Sequence, residues 1–333
     1  MTQDQEQDKD LQTLYEIAKK HLGHKLFDSL GFTTEFGITI SELNSRLQFT
    51  PYFKKTPCKL LHWTSLSVLF SIINEKSLRL YNLDSSEDED ELKYAGKLLG
   101  VNDNHMTNAK KNFFSMSFCE ESELQNEYMW KNYGGKYQKV VIEFEVVNNS
   151  ASWNNFMISP IFYHPPKQLI SFLKEVDERI TKFNNSFYMD MSRVIGFHKK
   201  ESFNHENELR IATYFPIKDL AIDGIHIYPE PRMKTKKTDK NKVVNYIKFP
   251  LMVDYSNLKH NSYYSFAGKY YKNEKEFFED KPKIKISNVY FGENCGLSSL
   301  EMKRFIRQIE RTVLNAHGYR IDLSKDKIKK PNR

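Results

Sequence analysis

Most of the features by which a sequence declares a membrane, secreted or metal-binding protein are missing from this one. No run of its 333 residues approaches the roughly 18 consecutive apolar residues of a membrane-spanning helix. The opening MTQDQEQDKD has neither the basic nor the apolar region of a secretory signal, so a cytoplasmic protein without a membrane partner is expected. Cysteine is scarce: Cys58, Cys119 and Cys295 are odd in number, far apart and free of C-x-x-C spacing. That argues against a disulfide framework and a structural zinc site, and it predicts ordinary buried thiols with no metal. There is no G-x-G-x-x-G after a strand, no G-x-x-x-x-G-K-[ST], no H-E-x-x-H and no G-x-S-x-G. Their absence excludes a Rossmann nucleotide site, a P-loop, a zincin helix and a nucleophile elbow. No internal repeat of solenoid length is visible.

Aromatic residues are abundant instead, with 24 Phe and 19 Tyr, and they supply large buried area per side chain. Fifty basic against 43 acidic residues give a net charge of +7, which tolerates a polyanion without demanding one. Acidic residues crowd into Asp84 to Glu91, and basic ones into Arg232 to Lys242 and Lys325 to Arg333. Such runs read either as solvated loops and tail or as contacts for nucleic acid. Three regions are expected: an N-terminal helical appendage over 1–56, an α+β domain over 57–320 and a basic tail over 321–333.

Within the appendage, Leu11, Leu14, Ala18 and Leu22 recur at helical spacing over Glu6 to Leu22. A short apolar strand ends at His62, and a helix capped near Thr64 or Ser65 carries Leu66, Leu69, Phe70 and Ile73. Strands follow at Leu78 to Leu83, at Phe113 to Phe118 and through Val140 to Val146, with a helix bearing Met129, Trp130 and Tyr133 between the last two. Pro165 and Pro166 open an amphipathic helix with Leu169, Phe172, Leu173, Val176 and Ile180 on one stripe. Further strands are predicted at Arg193 to Phe197, Glu206 to Tyr214, Val243 to Val253 and Ile284 to Phe291. A closing helix carries Met302, Phe305, Ile306, Ile309 and Val313. Strands and helices mix without strict alternation, which reads as α+β.

Three segments carry candidate chemistry. In HENELRIATYF the strand period of two sets Glu206, Glu208 and Arg210 on one face and Leu209 and Ile211 on the other. Carboxylates beside a guanidinium suit the stabilisation of a cation and the activation of a nucleophile, or equally an ion-paired solvent face. In FFSMSFCEESELQNEYMWKNYG, Ser115 and Ser117 share one strand face and leave room and donors for a ligand. Trp130 and Tyr133, three apart on a helix, would stack on a planar ring or belong to the core. In LLHWT, His62 ends a strand just before a helix start, where side chains and free backbone N–H groups converge on ligands, although a lone His is commonly structural.

Taken in order, HWT (His62 to Thr64), SLRLYNL (Ser77 to Leu83), SMS (Ser115 to Ser117), MWKNY (Met129 to Tyr133) and ENELR (Glu206 to Arg210) resemble a widespread bacterial family of unknown function, numbered 2971. The resemblance covers roughly Leu60 to Phe215, with an echo at Val289 to Cys295. It departs at Asp84 to Glu91, where the family tends to an N-D-P-x-E turn, and at Trp63, where it has Tyr. That family is in turn similar in motif order to ADP-ribosyltransferases of the DarT and poly-ADP-ribosyl type.

The resemblance implies an ADP-ribosyltransferase-like split mixed or antiparallel sheet with flanking helices, and NAD as substrate. It further implies transfer of ADP-ribose to a macromolecular acceptor, protein or nucleic acid, as a toxin or phage-defence effector. In that scheme Glu208 stabilises the sugar cation and Glu206 orients or deprotonates the acceptor. Arg210 holds Glu206 or a phosphate, and His62 anchors a ribose hydroxyl. Tyr133 or Trp130 stacks on nicotinamide or the acceptor, while Trp63, Thr64, Ser115 and Ser117 shape the pocket. Two other readings are a non-catalytic nucleic-acid-binding or partner-binding module using the basic runs, and a nuclease using Glu206, Glu208 and His62.

Overall fold

The computed structural model describes residues 54, 56–85, 89–99, 103–135, 138–146, 156–180, 187–190, 195–214, 233–237, 243–251 and 284–312. It also describes a helical segment at 12–14, 16–17 and 19–21, and short strands at 30–33, 38–42, 220–222, 225–227, 264–266, 269–271, 317–322 and 327–329.

One 11-stranded sheet organises the chain. Its strands are β1 (Cys58–Thr64), β2 (Ser77–Asn82), β3 (Phe113–Glu120), β4 (Val140–Val146), β5 (Met157–Pro160) and β6 (Glu208–Tyr214). They continue with β7 (Met233–Lys237), β8 (Val243–Pro250), β9 (Ile284–Phe291), β10 (His317–Asp322) and β11 (Lys327–Lys329). The spatial order is β7-β8-β2-β3-β1-β4-β9-β10-β11, with β6 branching from β3 and carrying β5 on its far edge. The body of the sheet is antiparallel, and β10 joins the edge of β9 in parallel. The arrangement is a curled antiparallel α+β fold with flanking helices.

The helices are α1 (Leu66–Glu75), α2 (Glu89–Leu99), α3 (Asp103–Asn112), α4 (Glu127–Asn132), α5 (Lys167–Ile180) and α6 (Ser299–Thr312). Ser65 caps α1 as its spacing predicts, its side chain accepting from the Val68 N–H. Asn126 caps α4 in the same way, accepting from Tyr128 and Met129. No helix among the described residues is long and apolar enough to cross a membrane.

Two hydrophobic layers hold the sheet. Leu60, Phe118, Ile142, Phe144, Leu209 and Ile211 alternate onto one face and pack with Leu69 and Ile73 of α1 and with Met302, Phe305, Ile306 and Ile309 of α6. Each such side chain contributes roughly 1.5–3 kcal/mol when fully buried. Leu169, Phe172 and Val176 of α5 join Phe113, Phe197 and Ala212 in a second cluster, which Leu14 and Ile17 of the N-terminal helical segment also enter. Leu173, Ile180 and Val313 of the expected stripes lie outside the residues whose side chains are described.

Four sequence expectations change. Of the predicted strand over Arg193 to Phe197, Ile195–Phe197 is a 3-10 turn in which Gly196 passes close under the Phe113 ring, and Arg193 and Val194 lie outside the described residues. Part of the basic run is an edge strand, β7, paired to β8, rather than a loop; Arg232 and residues 238–242 lie outside the described residues. Of the basic tail, Lys327–Lys329 forms β11. The acidic run passes into α2 at Glu89.

Candidate functional site

The site arises from a defect in strand pairing. Along one edge β3 pairs fully with β6, from Phe113 to Cys119. Its other edge is shared: β2 pairs at Phe114 and Ser115, and β1 pairs at Cys119 and Glu120. Between them Met116, Ser117 and Phe118 have no strand partner on that edge among the described residues. The sheet therefore opens at SMS, and buried backbone groups left by such an opening require other partners. His62 supplies one, its Nδ1–H donating to the Ser117 carbonyl at 3.0 Å.

This bond fixes the tautomer, leaving Nε2 with a free lone pair. Removal from water lowers the His62 imidazole to about 4, against the Ser117 carbonyl bond and with the Lys139 charge adding to the fall. His62 is thus a neutral acceptor near neutral pH. Its folded-state value lies below the ordinary 6.5, so its contribution to stability is present above that value and is lost as pH falls towards about 4. Buried His198, lowered to about 3, acts in the same direction. A His62→Gln variant is expected to show a flatter loss of thermal stability between pH 6.5 and 4 than the parent, measured by melting temperature.

Two cavities flank the opening. The larger, about 730 Å³, is lined by His62, Trp63, Thr64, Ser115, Ser117 and Lys139 together with Ser77, Arg79, Tyr81 and Lys236. The smaller, about 220 Å³, is lined by His62, Trp63, Ser117, Lys139, Tyr133, Lys199, Glu206 and Glu208. His62, Trp63, Ser117 and Lys139 belong to both walls. The larger volume falls within the range of about 300–1,000 Å³ usual for small-molecule sites.

The acidic pair forms the floor of the smaller chamber. Glu208, 5% exposed, opens β6, and Cys119 lies opposite it across the ladder. Arg210 holds it in a fork, Nε to Oε1 at 2.6 Å and Nη2 to Oε2 at 3.2 Å. Lys199 Nζ reaches Oε2 at 3.1 Å. Burial pushes the Glu208 carboxyl up, but the Arg210 and Lys199 charges and hydrogen bonds from Arg210 and Ser117 hold it down at about 2. It is a fixed anion.

Glu206 does not share that strand face. It ends a 3-10 turn, and Asn207 enters the left-handed region at φ 42°, a conformation that Asn tolerates better than most residues, before the strand begins. Asn207 Nδ2 donates to Glu123 at 2.8 Å, which secures the turn. Glu206, 4% exposed, takes Lys199 Nζ on Oε2 at 2.6 Å and the Tyr133 hydroxyl on Oε1. Burial and the Glu206 bond push the Tyr133 phenol above its ordinary value, so it stays a donor. Lys199 therefore joins the two carboxylates, a role without a sequence signal because FHKKE follows no periodic pattern.

Other expectations are redirected. Arg210 holds Glu208 rather than Glu206 or a phosphate, and its Nη1 donates to the Gly196 carbonyl at 2.6 Å. Trp130 is 0% exposed, its Nε1–H donates to the Leu124 carbonyl at 2.7 Å, and it lines neither cavity, so it is core rather than a stacking platform. Tyr133, 39% exposed at the end of α4, is the one of the two that lines the smaller cavity. Burial, then the Glu208 charge, pushes the Cys119 thiol up, and Cys58 is raised to about 11, so both stay protonated. Cys58 is half-buried, whereas Cys119 and Cys295 are buried.

Gly196 supports the cluster from below. A Cβ there would meet the Phe113 ring at 2.4 Å. Gly196→Ala is expected to cost about 1–3 kcal/mol by overpacking. Chemical denaturation would register it as a lower midpoint.

Residues 129–211 match the family model described as protein of unknown function (DUF2971). The match supports that family and spans α4 to the first half of β6, including MWKNY and ENELR. HWT, SLRLYNL and SMS precede it. No curated protein and no solved structure matches the chain. Among the described residues, no group of three or more His, Cys, Asp or Glu side chains is placed to hold a metal ion. Both carboxylates are instead bonded to Lys199.

Proposed function

We propose that the chain transfers ADP-ribose from NAD to a macromolecular acceptor, with an ADP-ribosyltransferase-like split sheet as its framework. The observation that carries this reading is the meeting of His62, Ser117, Tyr133, Glu206 and Glu208, from distant parts of the chain, around one opening. In the reaction the bond between the ribose C1′ and nicotinamide nitrogen breaks, and its electron pair leaves with nicotinamide. The sugar passes through an oxocarbenium-like cation, which a nearby carboxylate stabilises.

Glu208 supplies that charge, ionised at any working pH by Arg210 and Lys199. The Nε2 lone pair of His62 accepts from a ribose hydroxyl, and the Ser117 hydroxyl completes the floor. Tyr133 presents its ring to the planar leaving group. Glu206, in the same chamber, receives the proton that the acceptor nucleophile loses as its bond to C1′ forms. Purified protein incubated with nicotinamide-labelled NAD is expected to release nicotinamide. Adenine-labelled NAD is expected to label an added protein, DNA or RNA. No release and no labelling with any acceptor would remove this reading.

A second reading, a non-catalytic polyanion-binding module, draws on β7, where Lys234, Lys236 and Lys237 are exposed on an edge strand. It expects nucleic-acid binding that weakens steeply with salt and falls when these lysines are replaced by Gln, with Glu208→Gln having no effect.

A further inference from the structure

We propose that the larger chamber is a binding site for a phosphate ester with an organic body of nucleoside size, in which Lys139 and Lys236 neutralise the phosphate. The proposal extends the transferase reading but rests on the chamber's own lining, and it holds whether or not the neighbouring acidic pair cleaves a glycosidic bond.

The two chambers differ in charge. The smaller contains Glu206 and Glu208, whereas the larger has Arg79, Lys139 and Lys236 and, among the described residues, no carboxylate in its lining. Arg79 is already engaged, bonded to Glu75 and lying 5.0 Å over the Tyr246 ring. Lys139 and Lys236 line the cavity and have no carboxylate partner among the described residues. Lys139 stands on the wall common to both chambers, and Lys236 stands on β7 at the sheet edge.

One buried polar group of the same wall also lacks a hydrogen-bond partner among the described residues. It is the hydroxyl of Ser77, a residue 5% exposed. A buried donor without an acceptor is unfavourable until a ligand supplies one, and phosphate oxygens are strong acceptors that bond best to charged donors. At about 730 Å³ the chamber far exceeds a bare anion. Tyr81, Val68 and Met116 offer apolar contact for the organic part.

The test uses ADP and inorganic pyrophosphate titrated calorimetrically into the full chain. ADP is expected to bind more tightly than pyrophosphate. Lys139→Met and Lys236→Met are each expected to weaken ADP by about tenfold, the loss of one charged hydrogen bond. Lys139→Arg should restore much of it, which separates lost charge from misfolding. Glu208→Gln should leave ADP affinity unchanged. Absence of ADP and pyrophosphate binding at millimolar concentration, or equal binding by the Lys139→Met/Lys236→Met double variant, would overturn the proposal. If ADP binds as expected while NAD is never cleaved, only the transferase reading fails.

Discussion

Glu208→Gln is expected to lower nicotinamide release from NAD by about 100- to 1,000-fold, the usual consequence of removing one preorganised charge-stabilising group. Glutamine has the same length and keeps an oxygen for the Arg210 Nε–H, now 2.6 Å from Oε1. What it removes is the negative charge that, in the proposed reaction, lies beside the developing sugar cation. It also removes the charge that Arg210 and Lys199 pair with, so some stability is lost as well. The rates should therefore be compared at a temperature at which circular dichroism shows both proteins folded. A folded variant that releases nicotinamide at the parental rate would remove Glu208 from the mechanism.

The largest stability effect is expected from Arg210→Met. Breaking a buried ion pair from one side costs roughly 3–5 kcal/mol, because the remaining charge stays desolvated. Here the guanidinium also caps the Gly196 carbonyl, so two acceptors lose their donor together. Denaturant unfolding should show a lower midpoint with an unchanged slope. The pH dependence has a definite sign. Glu208 has a folded value of about 2 against an ordinary 4.5, so its contribution is complete above 4.5 and is lost as pH falls through that window. Arg210→Met should remove most of that acid sensitivity. Replacing both members by apolar residues, as in Glu208→Leu/Arg210→Met, should recover part of the lost stability while leaving the protein inactive. Equal stability of Arg210→Met and the parent would show that the fork contributes nothing.

Much of the fold is legible along the chain because it is written in local periodicity. Leu209 and Ile211 alternate with Glu208 and Arg210, and the structure puts the first pair in the main hydrophobic layer and the second on the opposite face. The Ser65 cap and the apolar stripes of α5 and α6 follow from the same kind of pattern. Glu206 breaks the rule. Extending the period of two backwards from Glu208 puts it on the strand, but Asn207 turns the backbone left-handed, and that depends on Glu123 reaching Asn207 from elsewhere in the chain. Trp130 is left between stacking and core for a related reason. Helical spacing relates it to Tyr133, yet only packing against Trp63, at 6.3 Å between rings, and the Leu124 carbonyl decides that it is interior.

By itself the sequence determined β1 to β4, β8, β9, α1 and α4 to α6, and the residue types available for chemistry, because each of these depends on neighbours within a few positions. The tertiary structure alone decided that β1 and β2 share one edge of β3 and leave it open at Ser117, and that His62 fills the break. It alone set Lys199 between the two carboxylates and Lys139 between the two chambers. Strand order and cation placement are set by pairings between residues far apart in the chain, and no local period records them.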